Sequence, residues 1–394
     1  MRRKGSRALF WIAIFSLALL SACGNNKPPV PTLLPGVTAS ATPSNTPTPT
    51  FTPTPTPFAV KDAGSQLYQL TEDIAGNIAS VELRPGAREA LINITVTDNQ
   101  TTFTRVEQAT WDGPQLQVKT LTSKLGQGHY SPDGNQIIFD GLVLTDSNGQ
   151  HPQTLSTGDT GAAWSPDAKK LAFVRLTSQS STCNADLAYA CTSLILYDLT
   201  THQERSVVTS PFLGGTPQWS PDQQWVILQR GGEAGSGVVA ISLIDGTITQ
   251  LVPNLNPNTP LTANGFVGAT WSADSRSIIY GTADGLWRQP LTGEVPTQIT
   301  NANGGSNPYS PPDQKWLYYM VPMTTDATTA PGQLIAEQAW RLDPNDPAHT
   351  VQRVLDTPII CNTVYWSLHG DTLACDGSAN NHPSITLYTV QTGS

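Results

Sequence analysis

The stretch Trp164-Ser165-Pro166-Asp167-Ala168-Lys169-Lys170-Leu171-Ala172-Phe173-Val174 decides the architecture, because it recurs along the chain. Tyr130-Ser131-Pro132-Asp133-Gly134 runs on into Ile137-Ile138-Phe139, and Trp219-Ser220-Pro221-Asp222 into Trp225-Val226-Ile227-Leu228. Looser copies stand at Trp271-Ser272-Ala273-Asp274, Tyr309-Ser310-Pro311-Pro312-Asp313 and Trp366-Ser367-Leu368. The unit returns every 34 to 57 residues, and a fixed returning unit means a repeat architecture.

Ser at the first corner, Pro at the second and Gly at the fourth suit a type I turn, and Asp bonds nearby backbone. The run after each turn is short, β-branched and aromatic, so it reads as a strand. It is apolar at consecutive positions, which calls for cover on both faces. A third strand follows, as in Leu194 to Asp198 or Ala339 to Asp343, and a fourth, as in Ile248 to Leu251 or Thr297 to Thr300. Four antiparallel strands in about 40 to 50 residues make the blade of a β-propeller. Leu83-Arg84-Pro85-Gly86 to Ile92 aligns as a degenerate seventh copy, with later strands at Phe103 to Val106 and Leu116 to Leu121. The last copy stops at its third strand, Ile385 to Tyr388, and Gln66 to Thr71 reads as a fourth strand with no blade before it. The expectation is an all-β, seven-bladed propeller closed by that N-terminal strand, with six or eight blades as alternatives.

The aromatic-Ser-Pro-Asp-Gly turn and its apolar strand resemble the repeat of TolB-like, WD-repeat-like propellers, from about Leu67 to the C-terminus. Asp is missing from the first and last copies, and only Ser131-Pro132-Asp133-Gly134 keeps the full turn. The resemblance implies envelope scaffolding, or the propeller half of a prolyl-oligopeptidase-like peptidase. No hydrolase domain is expected, because the chain ends with the last blade.

Arg2, Arg3, Lys4 and Arg7 precede an apolar run from Ala8 to Leu20, and Leu20-Ser21-Ala22-Cys23 matches the bacterial lipobox. Residues 1–22 read as a lipoprotein signal peptide, and Cys23 as the lipidated first residue of a protein anchored to the cell envelope on its extracytoplasmic side. Residues 23–57 are rich in Pro, Thr and Ser and read as a disordered stalk, reaching up to roughly 100 Å at ~3.1 Å per residue. Residues 58–394 form the propeller domain.

Without the n-region, 17 basic residues stand against 30 acidic ones, and no basic run is present. That argues against a nucleic-acid partner. Only 13% of residues are charged, and such a surface suits neutral polar partners such as glycans. Four cysteines remain in an oxidising setting, so disulfides Cys183–Cys191 and Cys361–Cys375 are expected. The second pair lies symmetrically about Leu368, at the centre of a hairpin.

Strand counting puts the Ser-Pro-Asp turns on one face of the ring, here the motif face. The long insertions, Arg175 to Ser193, Gln229 to Gly237, Val252 to Gly268 and Val321 to Gln338, fall on the other, the loop face. Asp159, Asp186, Glu233, Asp326 and Glu337 lie in or beside those loops and form a candidate binding face. Thr157 to Trp164 resembles the Asp-box turn of sialidase-like propellers, in one copy. No nucleophile elbow and no histidine pair at ligand spacing appears, so no catalytic, metal or cofactor site is assigned. The sequence favours a monomeric, non-catalytic lipoprotein whose propeller face binds a protein or glycan partner. The alternative is a propeller enzyme acting on glycans or peptides with acids at the elaborated face.

Overall fold

A computed structural model of the chain describes residues 66–70, 76–98, 101–112, 115–156, 160–177, 191–211, 213–230, 237–253, 268–282, 285–300, 305–312, 315–323, 336–346, 351–355, 358–377 and 385–389. They form seven antiparallel sheets of four strands each, the blades of a β-propeller, with no helix among them. Blade one holds β2 (Asn77–Leu83), β3 (Glu89–Asp98), β4 (Thr101–Asp112) and β5 (Gln115–Thr122). Its third strand is longer than the run Phe103 to Val106 read from sequence. Blade two holds β6 (Gly128–Tyr130), β7 (Gln136–Phe139), β8 (Val143–Asp146) and β9 (Gln153–Thr154). Blade three holds β10 (Thr160–Trp164), β11 (Lys170–Thr177), β12 (Cys191–Asp198) and β13 (Gln203–Pro211). Blade four holds β14 (Leu213–Trp219), β15 (Trp225–Arg230), β16 (Gly237–Ser242) and β17 (Ile248–Pro253). Blades five and six run from Ala269 to Thr300 and from Ser306 to Arg353.

The seventh blade is shared between the two ends of the sequence. Its strands are β26 (Thr363–Trp366), β27 (Thr372–Asp376) and β28 (Ile385–Thr389), completed by β1 (Gln66–Leu70). Gln66 pairs with Tyr388 and Leu70 with Ile385. The N-terminal strand therefore closes the ring and covers an edge that would otherwise stay open.

The second strands explain why the apolar runs have no alternation. Ile137, Ile138 and Phe139 are all buried, as are Leu171, Ala172 and Phe173, and Leu317 to Met320. Each blade packs against a neighbour on either side, and seven hydrophobic clusters among the described residues fill the seven blade interfaces. One joins Val81, Ile92 and Ile94 of blade one to Ala374, Ile385 and Leu387 of blade seven.

Four of the motif turns are locked in the same way. In Ser165-Pro166-Asp167-Ala168, the Ser165 carbonyl accepts from Ala168 N–H at 2.9 Å, and Ser165 N–H donates to the Lys170 carbonyl at 2.8 Å. The Ser165 hydroxyl donates to Asp167 Oδ1 at 2.7 Å and accepts Lys170 N–H at 2.8 Å. Asp167 Oδ1 also accepts Lys169 N–H at 3.2 Å. Ser131, Ser220 and Ser272 repeat this pattern. The residue after Asp takes the left-handed conformation, as Gly134 (φ 71°), Ala168 (φ 58°), Gln223 (φ 60°) and Ser275 (φ 60°). That is the type I turn with a left-handed fourth residue that suits a short hairpin.

The last copy keeps the lock by a substitution that its sequence hides. Ser367 donates to Asp371 Oδ1 at 2.6 Å, so the missing carboxylate comes from two residues further on. Gly370, at φ 69°, supplies the glycine.

The Cys361–Cys375 bridge is present, with Cα atoms 5.4 Å apart. The symmetry argument for it needs correction. The register pairs Cys375 with Val364, not with Cys361, because the hairpin is centred between His369 and Gly370 rather than on Leu368. Cys361 lies before β26 and reaches Cys375 from the incoming crossing. Cys191 is disulfide-bonded, and its expected partner Cys183 lies outside the described residues.

Candidate functional site

Two cavities among the described residues stand out, one at each face of the ring. The motif-face mouth has a volume of about 550 Å³. Trp164, Trp219, Trp271 and Tyr309 line it, with Pro132, Pro166, Pro221 and Pro312 from the turns and Leu368 and His369 from the last blade. The motif aromatics thus have two roles. Their rings close the blade interfaces, and their edges wall the cavity.

Three indoles also tie their blade to the one before it. Trp164 Nε1 donates to the His129 carbonyl at 3.2 Å, Trp219 Nε1 to Ala163 at 3.1 Å and Trp271 Nε1 to Gln218 at 3.0 Å. Tyr309 reaches the other way, its hydroxyl donating to the Leu368 carbonyl at 2.8 Å. Trp366 breaks the series. Its Nε1 is buried without a hydrogen-bond partner, and its ring packs on Tyr318 with centroids 5.1 Å apart. Such bonds hold the cavity wall rigid, which is how a pocket is kept open.

The acids at this mouth are Asp133 and Asp167, and both serve the turns. Burial works against the Asp133 charge. The Ser131 hydroxyl and the Asn135 amides outweigh it and hold the carboxyl below the usual range. Asp167 is lowered in the same way, by Ser165 and Lys169 against partial burial. Both carboxylates are ionised near neutral pH, which suits hydrogen-bond acceptance rather than general-acid work.

The second cavity, of about 430 Å³, opens between blades two, three and four, towards the loop face. His129 of β6 and Asp140 stand in it, beside Gly214, Gly215 and Thr216 of β14. His129 Nδ1 lies 2.8 Å from Glu82 Oε2, and Glu82 Oε1 accepts Tyr130 N–H at 2.8 Å. A carboxylate only accepts, so Nδ1 carries the proton. Burial disfavours the imidazolium, but the Glu82 hydrogen bond and charge, then the Asp140 charge, raise the His129 pKa overall.

Of the acids read from sequence, only Glu337 lies among the described residues. It opens the third strand of blade six, where it is half-buried and accepts from Ser306 Oγ at 3.1 Å. Burial raises its pKa, and the Ser306 bond offsets part of that. Asp159, Asp186, Glu233, Asp326 and the lipidation residue Cys23 lie outside the described residues. Of the Asp-box-like stretch, Thr160 to Trp164 is simply the inner strand β10. Sequence reading missed His129, Glu82 and Asp140, because nothing in their local context marks them. Among the described residues no group of three or more His, Cys, Asp or Glu is placed to hold a metal ion.

No family model matches the chain, and no curated protein does. Among solved structures, an oligogalacturonate lyase in complex with manganese aligns at a TM-score of 0.54 and 14% identity, over 84% of this chain and 99% of that one. An acylaminoacyl peptidase from Pyrococcus horikoshii aligns at 0.52 and 9% identity, over 82% of this chain and 53% of that one. TolB from Acinetobacter baumannii aligns at 0.40 and 12% identity, over 77% and 80%. The first two likenesses show the fold alone. Chemistry has to be argued from the chain's own sites.

Proposed function

We propose that this protein is a non-catalytic lipoprotein of the bacterial cell envelope whose propeller binds a protein or glycan partner at the motif-face mouth. The observation that carries the binding reading is the make-up of that mouth. Aromatic edges and prolines form a pre-built wall, and both of its carboxylates are held in turns. Such a wall gives contact area at little ordering cost, and the two carboxylates that line it among the described residues are already engaged in the turns. The envelope reading rests on the sequence of residues 1–23, with its basic start, apolar run and lipobox cysteine.

The test is binding by the full chain and by Leu368→Arg, which places a charge at the mouth without touching the buried motif residues. Partners are cross-linked in intact envelopes, isolated, and titrated against each protein with tryptophan emission as the signal. Three indoles line the mouth, so a bound partner should change the emission of the wild type and not of Leu368→Arg. An isolated partner that binds both equally, or turnover of a glycan or peptide panel, would refute the proposal. Cys23→Ser should lose membrane attachment. If it stays membrane-bound, the anchor assignment is wrong.

A further inference from the structure

The cavity between blades two, three and four is separate from the motif-face mouth, and its chemistry is different. Gln127 and Asp140 brace each other there. Gln127 N–H donates to Asp140 Oδ2 at 3.0 Å, and Asp140 N–H donates to the Gln127 carbonyl at 2.9 Å. Asp140 Oδ1 makes no hydrogen bond to a described residue. His129 is held through Nδ1 by Glu82, which leaves its Nε2 edge for a ligand in the cavity. The facing wall is Gly214-Gly215-Thr216, bare backbone followed by one hydroxyl. Leu176, 68% exposed, adds an aliphatic surface.

Gly214 is the telling residue. Its backbone is not in the left-handed region, and a Cβ built there would meet nothing within 4 Å. The fold does not require glycine at this point. What the missing side chain does is keep the cavity open.

Charge narrows the ligand. Glu82 backs the His129 ring from outside the lining, and Asp140 adds a negative charge within it. An anionic ligand meets the Asp140 carboxylate, with Glu82 close behind His129. A neutral ligand rich in hydroxyls can hydrogen-bond His129 Nε2, whichever way the proton lies, donate to Asp140 and lay its C–H face on Leu176. We infer that this cavity is a binding site for a neutral sugar unit, independent of whatever the motif-face mouth holds. A volume of about 430 Å³ is within the range of small-ligand sites.

The test is titration calorimetry on the full chain in a non-glycosidic detergent. The probes are glucose, galactose, N-acetylglucosamine and maltose, with galacturonate, glucosamine and serine as charged controls. At least one neutral sugar should bind saturably, and the charged controls about tenfold more weakly or not at all. Gly214→Leu fills the cavity and should abolish binding with an unchanged melting temperature. Asp140→Asn should weaken it by about tenfold, and it decides the matter if Gly214→Leu does not fold. Leu368→Arg, at the other mouth, should bind sugar normally. The inference falls if no neutral sugar binds up to roughly 10 mM, if a charged control is preferred, or if neither cavity variant changes the affinity.

Discussion

Ser165→Ala is the most searching perturbation of the motif turn. The hydroxyl makes two bonds at once, a 2.7 Å donation to the Asp167 carboxylate and a 2.8 Å acceptance from Lys170 N–H. A hydrogen bond to a charged group contributes about 1.5 to 3 kcal/mol, and a neutral one about 0.5 to 1.5 kcal/mol. Asp167 is exposed, so water replaces part of the first. The fully buried Ser165 position admits no such replacement for Lys170 N–H. The expected loss is therefore about 2 to 3 kcal/mol, read as a lower urea midpoint at unchanged m-value by tryptophan fluorescence. Asp167→Asn keeps an acceptor oxygen and should cost less, under about 1 kcal/mol. The pH dependence adds a second signature. The Asp167 pKa is lowered in the folded state, so its stabilisation is present above the ordinary Asp value and fades as pH falls through the folded one. Ser165→Ala should flatten that acid limb. A Ser165→Ala protein within about 0.5 kcal/mol of wild type at pH 7 would refute the view that the hydroxyl locks the turn.

Three further outcomes are expected. A chain starting at residue 75 lacks β1 and should aggregate or melt far below one starting at residue 58, and equal melting would show that β1 does not clasp the ring. Cys375→Ser opens a 14-residue loop and should lower stability by about 3 kcal/mol relative to oxidised wild type in the chain-entropy model, with reduced wild type as the control that should show the same loss. The raised pKa of His129 gives stabilisation that is complete below its unfolded value of 6.5 and is lost as pH rises through the folded one. Glu82→Gln should remove that alkaline decline, and a profile unchanged by the substitution would show that the pair is not the cause.

The repeat made most of the ring legible, because the turn's chemistry is local. Ser, Pro, Asp and a left-handed fourth residue are all within one hairpin, so the sequence carries the whole instruction. Even the degenerate first copy could be aligned, although Arg84 replaces Ser there and sends its Nε to the Gly134 carbonyl of the next blade at 2.7 Å. The last copy misled where its carboxylate moved to Asp371, two positions off the pattern. The sites were far less legible. The sugar cavity is assembled from residues of different blades, Asp140 after β7 against Gly214 of β14, with no shared spacing to mark them. The aromatics were read as the first residue of a turn, and their second role needs the carbonyl of another blade, at His129, Ala163 or Gln218. Long loops drew the search for acids towards the loop face, while the aromatic mouth was the motif itself seen from above.

The clasp between β1 and β28 also sets a timetable. Each of three indoles grips a carbonyl of the preceding blade, so a blade can settle on its predecessor as soon as both exist. β1 alone must wait, since Leu70 meets Ile385 at the far end of the chain. At roughly 5 to 20 residues per second, that wait during synthesis is on the order of 15 to 60 s. Throughout it the first strand made has no partner of its own, and the β1 of a second copy can fill the same gap. Closure within one chain wins as long as the effective concentration of the tethered strand, on the order of millimolar for short flexible tethers, exceeds that of its neighbours. Crowding many nascent copies together, as in strong overexpression, shifts the balance towards exchanged dimers in which each ring is clasped by the other's first strand.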